Sequence, residues 1–174
     1  MDFDPAQLGR FHSIDVPVLG EIGVTVGAFA EALKKHSMID QRDEIAGRWK
    51  IWRAEKENRR QDVSDKGLNS ALIFETLSKL VPDDAVIAAD VGNNTYSFGR
   101  YFECAGQSVL MSGYLGSIGF SFPAAMGAWA ATQDQEAYKG RKVVSISGDG
   151  GFGQYAMEFT TCLLYTSPSP RDRG

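Results

Sequence analysis

Asp149 stands inside the run Val143-Val144-Ser145-Ile146-Ser147-Gly148-Asp149-Gly150-Gly151-Phe152-Gly153, an apolar strand that leads into a glycine turn. Glycines 148, 150 and 153 have the spacing G-x-G-x-x-G, in which a tight turn brings backbone amides against a phosphate at the head of a helix. The carboxylate is at odds with a bare diphosphate, because two anions a few ångströms apart repel in a cleft of low dielectric. A divalent cation between them reverses the sign, since Mg2+ joins one or two carboxylates to phosphate oxygens. These residue types point to a metal-bridged diphosphate, with Asp149 as the metal ligand. The glycine spacing alone is a weak signal; the carboxylate within it is what narrows the chemistry.

Two other apolar strands end in loops of the same character. Residues 85–89 run into Asp90-Val91-Gly92-Asn93-Asn94, and residues 109–111 run into a loop over 112–119 that contains Gly116, Ser117 and Ile118. The third strand is expected over 143–147. Between the strands the periodicity predicts helices. One spans 70–80, capped by Asn69 or Ser70, with Ile73, Leu77 and Val81 facing the core and Pro82 closing it. Others are expected over 97–102, over 123–131 with Pro123 in the first turn, and over 153–161. Alternating strands and helices specify an α/β fold with a doubly wound parallel sheet. In such sheets ligands gather beyond the carboxyl ends of the strands. Taken singly, the 90–94 loop reads as an Asx turn, the 116–119 loop as a close helix approach, and the 148–153 turn as a plain strand-to-helix connection. Their conjunction on one sheet edge favours a ligand site.

The flanks are of a different kind. Residues 1–35 hold a strand end and turn at Asp2 to Pro5, a short strand-like piece over 16–22 and a helix over 24–33. Residues 36–66 are strongly charged, with Trp49 and Trp52 on one helical face and Arg53, Lys56, Arg59 and Arg60 turned largely elsewhere, toward solvent. Glu44, Glu55, Glu57 and Asp62 interleave with those bases and undercut a nucleic-acid surface. Residues 162–174 break the preceding pattern with Pro168 and Pro170, and the wording CLLYTSPSPRD resembles a translated library adaptor. A non-native tail is the expectation there, and it takes no part in fold reasoning.

Composition removes several classes. With 18 Lys and Arg against 22 Asp and Glu, the formal net charge of −4 offers no footing for nucleic acid. No apolar run reaches membrane-spanning length, and no signal-peptide pattern opens the chain. Cys104 and Cys162 are the sole cysteines, so no disulfide framework is implied and a cytoplasmic setting is expected. His12 and His36 lack the spacing of a zinc site, and Cys104 reads as a buried small side chain rather than a nucleophile.

Three stretches carry a family likeness. VVSISGDGGFG resembles the GDG portion of the thiamine-diphosphate motif. SGYLGSIGFSFPAAMGA is similar to the loop and helix beneath the cofactor in the acetolactate synthase and pyruvate oxidase family, and FDPAQLGRFHSIDVPVLGEI to the end of that family's central domain. The resemblance implies that 1–35 end a central α/β domain, 36–66 link it, and 67–161 begin the carboxyl-terminal diphosphate-binding domain. It implies thiamine diphosphate and Mg2+ as cofactors, with Asp149 as the metal ligand and the amides of Gly148, Gly150 and Gly151 on the diphosphate. Asn93 and Asn94 occupy the loop that approaches the diphosphate from the neighbouring strand. Gly116, Ser117 and Ile118 occupy the loop beneath, Ile118 being the bulky side chain that enforces a bent cofactor. For the parent protein it implies decarboxylation of a small 2-oxo acid such as pyruvate, followed by ligation or oxidation. A homodimer or homotetramer is implied too, and FAD is compatible with the parent. The family's second metal ligand, an asparagine beyond the GDG, and the glutamate that serves the cofactor from another domain have no counterpart in this sequence. No catalytic residue is expected in the chain, and the chain alone is expected to be inactive. The competing reading is a non-catalytic Rossmann-type domain holding a dinucleotide, against which Asp149 weighs.

Overall fold

Four consecutive apolar residues without an exposed member, Val86–Ala89, form the central strand β1. A strand covered on both faces needs such a continuous run, whereas a half-covered one alternates. In the computed structural model, which describes residues 1–37, 39–62, 65 and 67–166, the chain divides into two compact units, Met1–Trp49 and Lys50–Gly174. The first holds α1 (Ile22–Leu33) and the start of α2 (Arg42–Arg60). The second continues with α3 (Ser70–Leu80), β1, α4 (Asn93–Tyr101), β2 (Ser108–Met111), α5 (Ser121–Asp134), β3 (Val143–Ile146), α6 (Asp149–Tyr155) and α7 (Glu158–Thr166). The strands pair in parallel in the order β2-β1-β3, with Ile87 opposite Val109 on one side and Val144 on the other. This is the α/β parallel sheet expected.

Side chains alternate across the strands, so each face has its own helix layer. Ile87, Ala89, Val109, Val144 and Ile146 pack with Phe74, Leu77 and Val81 of the α3 segment and Phe98, Tyr101 and Phe102 of the α4 segment. Ser145 faces the other way and donates to the Ser121 hydroxyl of α5 at 3.2 Å. Phe98 anchors the first layer, edge-on to Phe74 at 6.0 Å and stacked on Phe102 at 4.8 Å. Burying such a ring is worth about 1.5–3 kcal/mol. Phe122 anchors the second, edge-on to Phe152 at 5.5 Å and stacked near Phe159 at 6.3 Å.

Several boundaries differ from the sequence expectation. Helix α3 begins as expected, its Asn69 cap accepting from the Leu72 amide at 2.9 Å, and Leu77 and Val81 face the core, joined by Ala71 and Phe74, but Ile73 is exposed. Helix α4 starts at Asn93, four residues before the expected 97, because Gly92 makes the turn with φ 130° and ψ −160°, a conformation open essentially to glycine alone. Helix α5 is longer than 123–131, and the helix expected over 153–161 is two helices, α6 and α7. Helix α7 passes Thr161 and runs to Thr166, while Ser167 to Gly174, the rest of the expected tail, lie outside the described residues. Cys104 is exposed, since the chain past α4 runs over the surface there. In the first unit the strand expected over 16–22 reduces to one bridge between Asp2 and Leu19, and no described residue of that unit is buried.

One cation pins the amino ends of the three strands. The Arg141 guanidinium donates to the carbonyls of Asp84 and Ala85, at 3.5 Å for the latter, and to the Ser108 hydroxyl at 2.9 Å. The basic face of α2 corrects the solvated reading. Lys56 is buried, lies over the Trp52 ring at 4.7 Å and bonds Glu103. Arg53 reaches the same carboxylate at 2.8 Å, and Arg60 reaches Glu75 at 2.7 Å. A lysine can bury its stem where a carboxylate receives its ammonium, and Glu103, just past α4, supplies that acceptor.

Burial pushes the Glu103 carboxyl up, but hydrogen bonds and charge from Arg53 and Lys56 outweigh it and hold the group below its ordinary 4.5. Burial also raises Glu75, and Lys79 and Arg60 again win, so it too is lowered. A carboxyl depressed in the folded state stabilises above its unfolded pKa, and that contribution drains away as pH falls through the folded value. Glu103→Gln is expected to cost about 1–3 kcal/mol near neutral pH by urea titration. It should also make the acid limb below about pH 4.5 shallower than in the parent chain.

Candidate functional site

Asp90 is the first residue past β1 and only 1% exposed. Burying a carboxylate is expensive unless donors surround it, and among the described residues no cation pairs with this one. Dipoles do the work instead. The Val91 amide donates to Oδ1 at 2.8 Å, and the Gly119 amide to Oδ1 and Oδ2 at 2.9 and 3.2 Å. The Ser147 hydroxyl donates to Oδ2 at 2.9 Å. The main chain of Asp90 is committed as well: its amide donates to the Ile146 carbonyl at 2.9 Å, and its carbonyl accepts from the Thr95 hydroxyl. One buried anion thus gathers the loops that leave β1, β2 and β3, all at the carboxyl end of the sheet.

The residues singled out from the sequence are distributed over these loops. Asn93 and Asn94 form the first turn of α4; Asn93 is exposed, and Asn94 donates from Nδ2 to the Ile146 carbonyl at 3.2 Å, leaving its Oδ1 available. Gly116 lies beside Val91, the exposed Ser117 donates its amide to the Ser112 hydroxyl at 3.0 Å, and Ile118 is half exposed. Gly148, Asp149 and Gly150 are exposed where α6 begins, with open space above both glycines. Gly151 is buried against the Asp90 carboxylate. Sequence reasoning missed Asp90 and Ser147. The signal for the first was present: an acidic residue directly after an apolar strand, with no base nearby in sequence to receive it.

The open donors are what make this edge chemically distinctive. Every helix leaves its first amides without intrahelical acceptors. Helices α1 and α3 satisfy one with the side chains of Glu21 and Asn69, but α4, α5 and α6 begin at Gly92, Phe120 and Gly148 with no side-chain cap. These three are the helices that follow the strands. The Asp149 carboxylate makes no hydrogen bond or ion pair among the described residues. Amide donors with one free carboxylate suit a polyanion carrying a divalent cation. No group of three His, Cys, Asp or Glu among the described residues could hold a metal unaided. A cation here would draw its remaining oxygens from backbone, water and guest, as Mg2+ does when it bridges a carboxylate to a diphosphate. The residues present therefore fit a magnesium diphosphate.

Comparison with known proteins agrees with a diphosphate guest. Residues 90–169 match the family described as thiamine pyrophosphate enzyme, C-terminal TPP binding domain. The chain is 28% identical over 172 residues to the acetolactate synthase isozyme 3 large subunit of Escherichia coli strain K12, covering 97% of this chain and 29% of that protein. It is 30% identical over 190 residues to a probable acetolactate synthase large subunit of Methanococcus aeolicus, with the same two coverages of 97% and 29%. It is 32% identical over 173 residues to the acetolactate synthase large subunit IlvB1 of Mycobacterium tuberculosis strain CDC 1551 / Oshkosh, over 96% of this chain and 26% of that one. The chain spans less than a third of the length of these relatives.

Gly119 tests how tightly the edge is assembled. It sits at φ +92°, and a Cβ there would lie 2.6 Å from Cε2 of Tyr155 and 2.8 Å from Oε1 of Gln154. Gly119→Ala is expected to cost roughly 2 kcal/mol or more in urea unfolding. Gly127→Ala, on α5 with nothing within 4 Å of the new atom, is expected to be neutral or to stabilise by about 0.5–1 kcal/mol in the same titration.

Proposed function

We propose that this chain, whose residues 90–169 match the thiamine pyrophosphate enzyme C-terminal domain family, supplies the metal- and diphosphate-binding edge of a thiamine-diphosphate- and Mg2+-dependent enzyme acting on a small 2-oxo acid such as pyruvate. The observation that carries this reading is the exposed Asp149, without a partner among the described residues, at the uncapped start of α6. Asp149 would ligate the Mg2+, and the amides of Gly148, Gly150 and Gly151 would receive the diphosphate. Asn93 and Asn94, in the first turn of α4, would approach the same group from the neighbouring strand's loop. Gly116, Ser117 and Ile118 would hold the remainder of the cofactor, and the branched side chain of Ile118 would displace water there without competing for hydrogen bonds. When bound, thiamine diphosphate supplies the electron sink that decarboxylation of a 2-oxo acid needs.

Kinship with acetolactate synthase large subunits favours a carboligating parent of the transferase and lyase type. A homodimer or homotetramer, and FAD in the parent, rest on the resemblance alone. In the same proposal residues 1–35 end a central domain, 36–66 link it and residues from 67 begin the cofactor domain. The chain by itself, in the same proposal, does not turn over substrate. Among the described residues no helix is long and apolar enough to cross a membrane.

Calorimetric titration of the full chain tests the reading. Thiamine diphosphate should bind only with Mg2+ present, and NAD should not bind. Asp149→Asn should weaken the Mg2+-dependent binding about tenfold or more, since a ligand charge beside a hard cation is lost. Its stability should shift by no more than about 1 kcal/mol, the worth of one charge at a helix start. Binding that ignores Mg2+, preference for NAD, or pyruvate consumption by the chain alone would each contradict the corresponding part.

A further inference from the structure

We propose that Asp90 is the positioning residue of this edge, coupling the 116–119 and 147–151 loops into one receiving surface although it touches no guest. The inference rests on the preceding reading only for the identity of the ligand. Strands β2 and β3 lie on opposite sides of β1 and share no hydrogen bond. The loops that follow them therefore start about 10 Å apart, two inter-strand spacings. Sheet pairing sets the strands in register but does not set these loops against each other.

Asp90, at the end of the strand between them, reaches both: Gly119 on the β2 side and Ser147 on the β3 side. From those contacts to the site residues the covalent path is short. Ile118 and Ser117 immediately precede Gly119, and Asp149 is two residues beyond Ser147. A carboxylate is an acceptor on both oxygens, so it can receive the amide and the hydroxyl together. Asparagine keeps one acceptor and must donate with its other end, which reverses the Ser147 bond and loses charge assistance on Gly119. Arg141 offers an internal contrast, because it pins the same three strands at their other ends, remote from the loops.

Residue-resolved hydrogen exchange on the full chain separates positioning from general stabilisation. The reporters are the Gly119 amide, bonded to Asp90, and the Phe152 amide, bonded to the Gly148 carbonyl at 2.9 Å in the first turn of α6. Asp90→Asn should speed exchange at both sites together by about tenfold, the equivalent of one weakened charged hydrogen bond. Ser147→Ala, the milder variant, should speed Phe152 more than Gly119. Arg141→Gln should lower the melting temperature yet leave both amides at the parent rate. The dissociation constant for Mg2+ and thiamine diphosphate should follow the same order, rising about tenfold for Asp90→Asn and less than about twofold for Arg141→Gln. Unchanged Gly119 and Phe152 exchange in Asp90→Asn and Ser147→Ala would overturn the proposal, as would equal loosening of both loops by Arg141→Gln. A parent chain that shows the coupled exchange but binds no thiamine diphosphate would refute the ligand assignment and support the coupling.

Discussion

A carboxylate sealed inside the second unit, with no positive partner among the described residues, is the constraint from which the arrangement of the site follows. An unpaired buried carboxylate is tolerable only when several oriented donors meet it. Asp90 draws one donor from its own loop, one from the loop after β2 and one from the loop after β3. Meeting that demand forces the three connections to converge. It also spends donors selectively, taking the Val91 and Gly119 amides and the Ser147 hydroxyl while the helix starts beside them keep theirs. The edge is thus built by one anion and, on the reading advanced here, arranged to receive another that brings its own cation.

The opposite end of the sheet is organised by the opposite sign. Arg141 collects carbonyls and a hydroxyl where the strands begin, much as Asp90 collects amides and a hydroxyl where they end. Between them lie the Phe74, Phe98 and Phe102 cluster on one face and the Phe122 contacts on the other. Farther out, Glu103 receives Arg53 and Lys56 and so welds the end of α2 to the α4 side.

Much of this framework was legible in the sequence. Apolar runs ending in glycine-bearing loops located all three strands to within a residue or two, and Asn69 announced α3. Helix starts at the site were harder, because Gly92, Asn93 and Asn94 have the composition of a turn. What makes them helical is the backbone of Gly92 together with the Asn94 bond to Ile146, a partner fifty-two residues away. The face of α2 was misjudged for a related reason. A basic helix face reads as solvated until its acceptor is known, and Glu103 lies forty-seven residues beyond Lys56. Asp149 was readable because its chemistry is local. Asp90 left only the bare signal of an acid after an apolar strand, because the partners that give it its role, Gly119 and Ser147, lie in distant chain.

Gly92 and Asn93 illustrate how differently two adjacent codons can be held. Position 92 is fixed by the shape of the main chain alone, at φ 130° and ψ −160°, whatever guest the edge accepts. Its neighbour is exposed on a helix start and answers only to whatever lies above it. As such a scaffold drifts toward other small molecules, the glycine is frozen and the asparagine is the raw material.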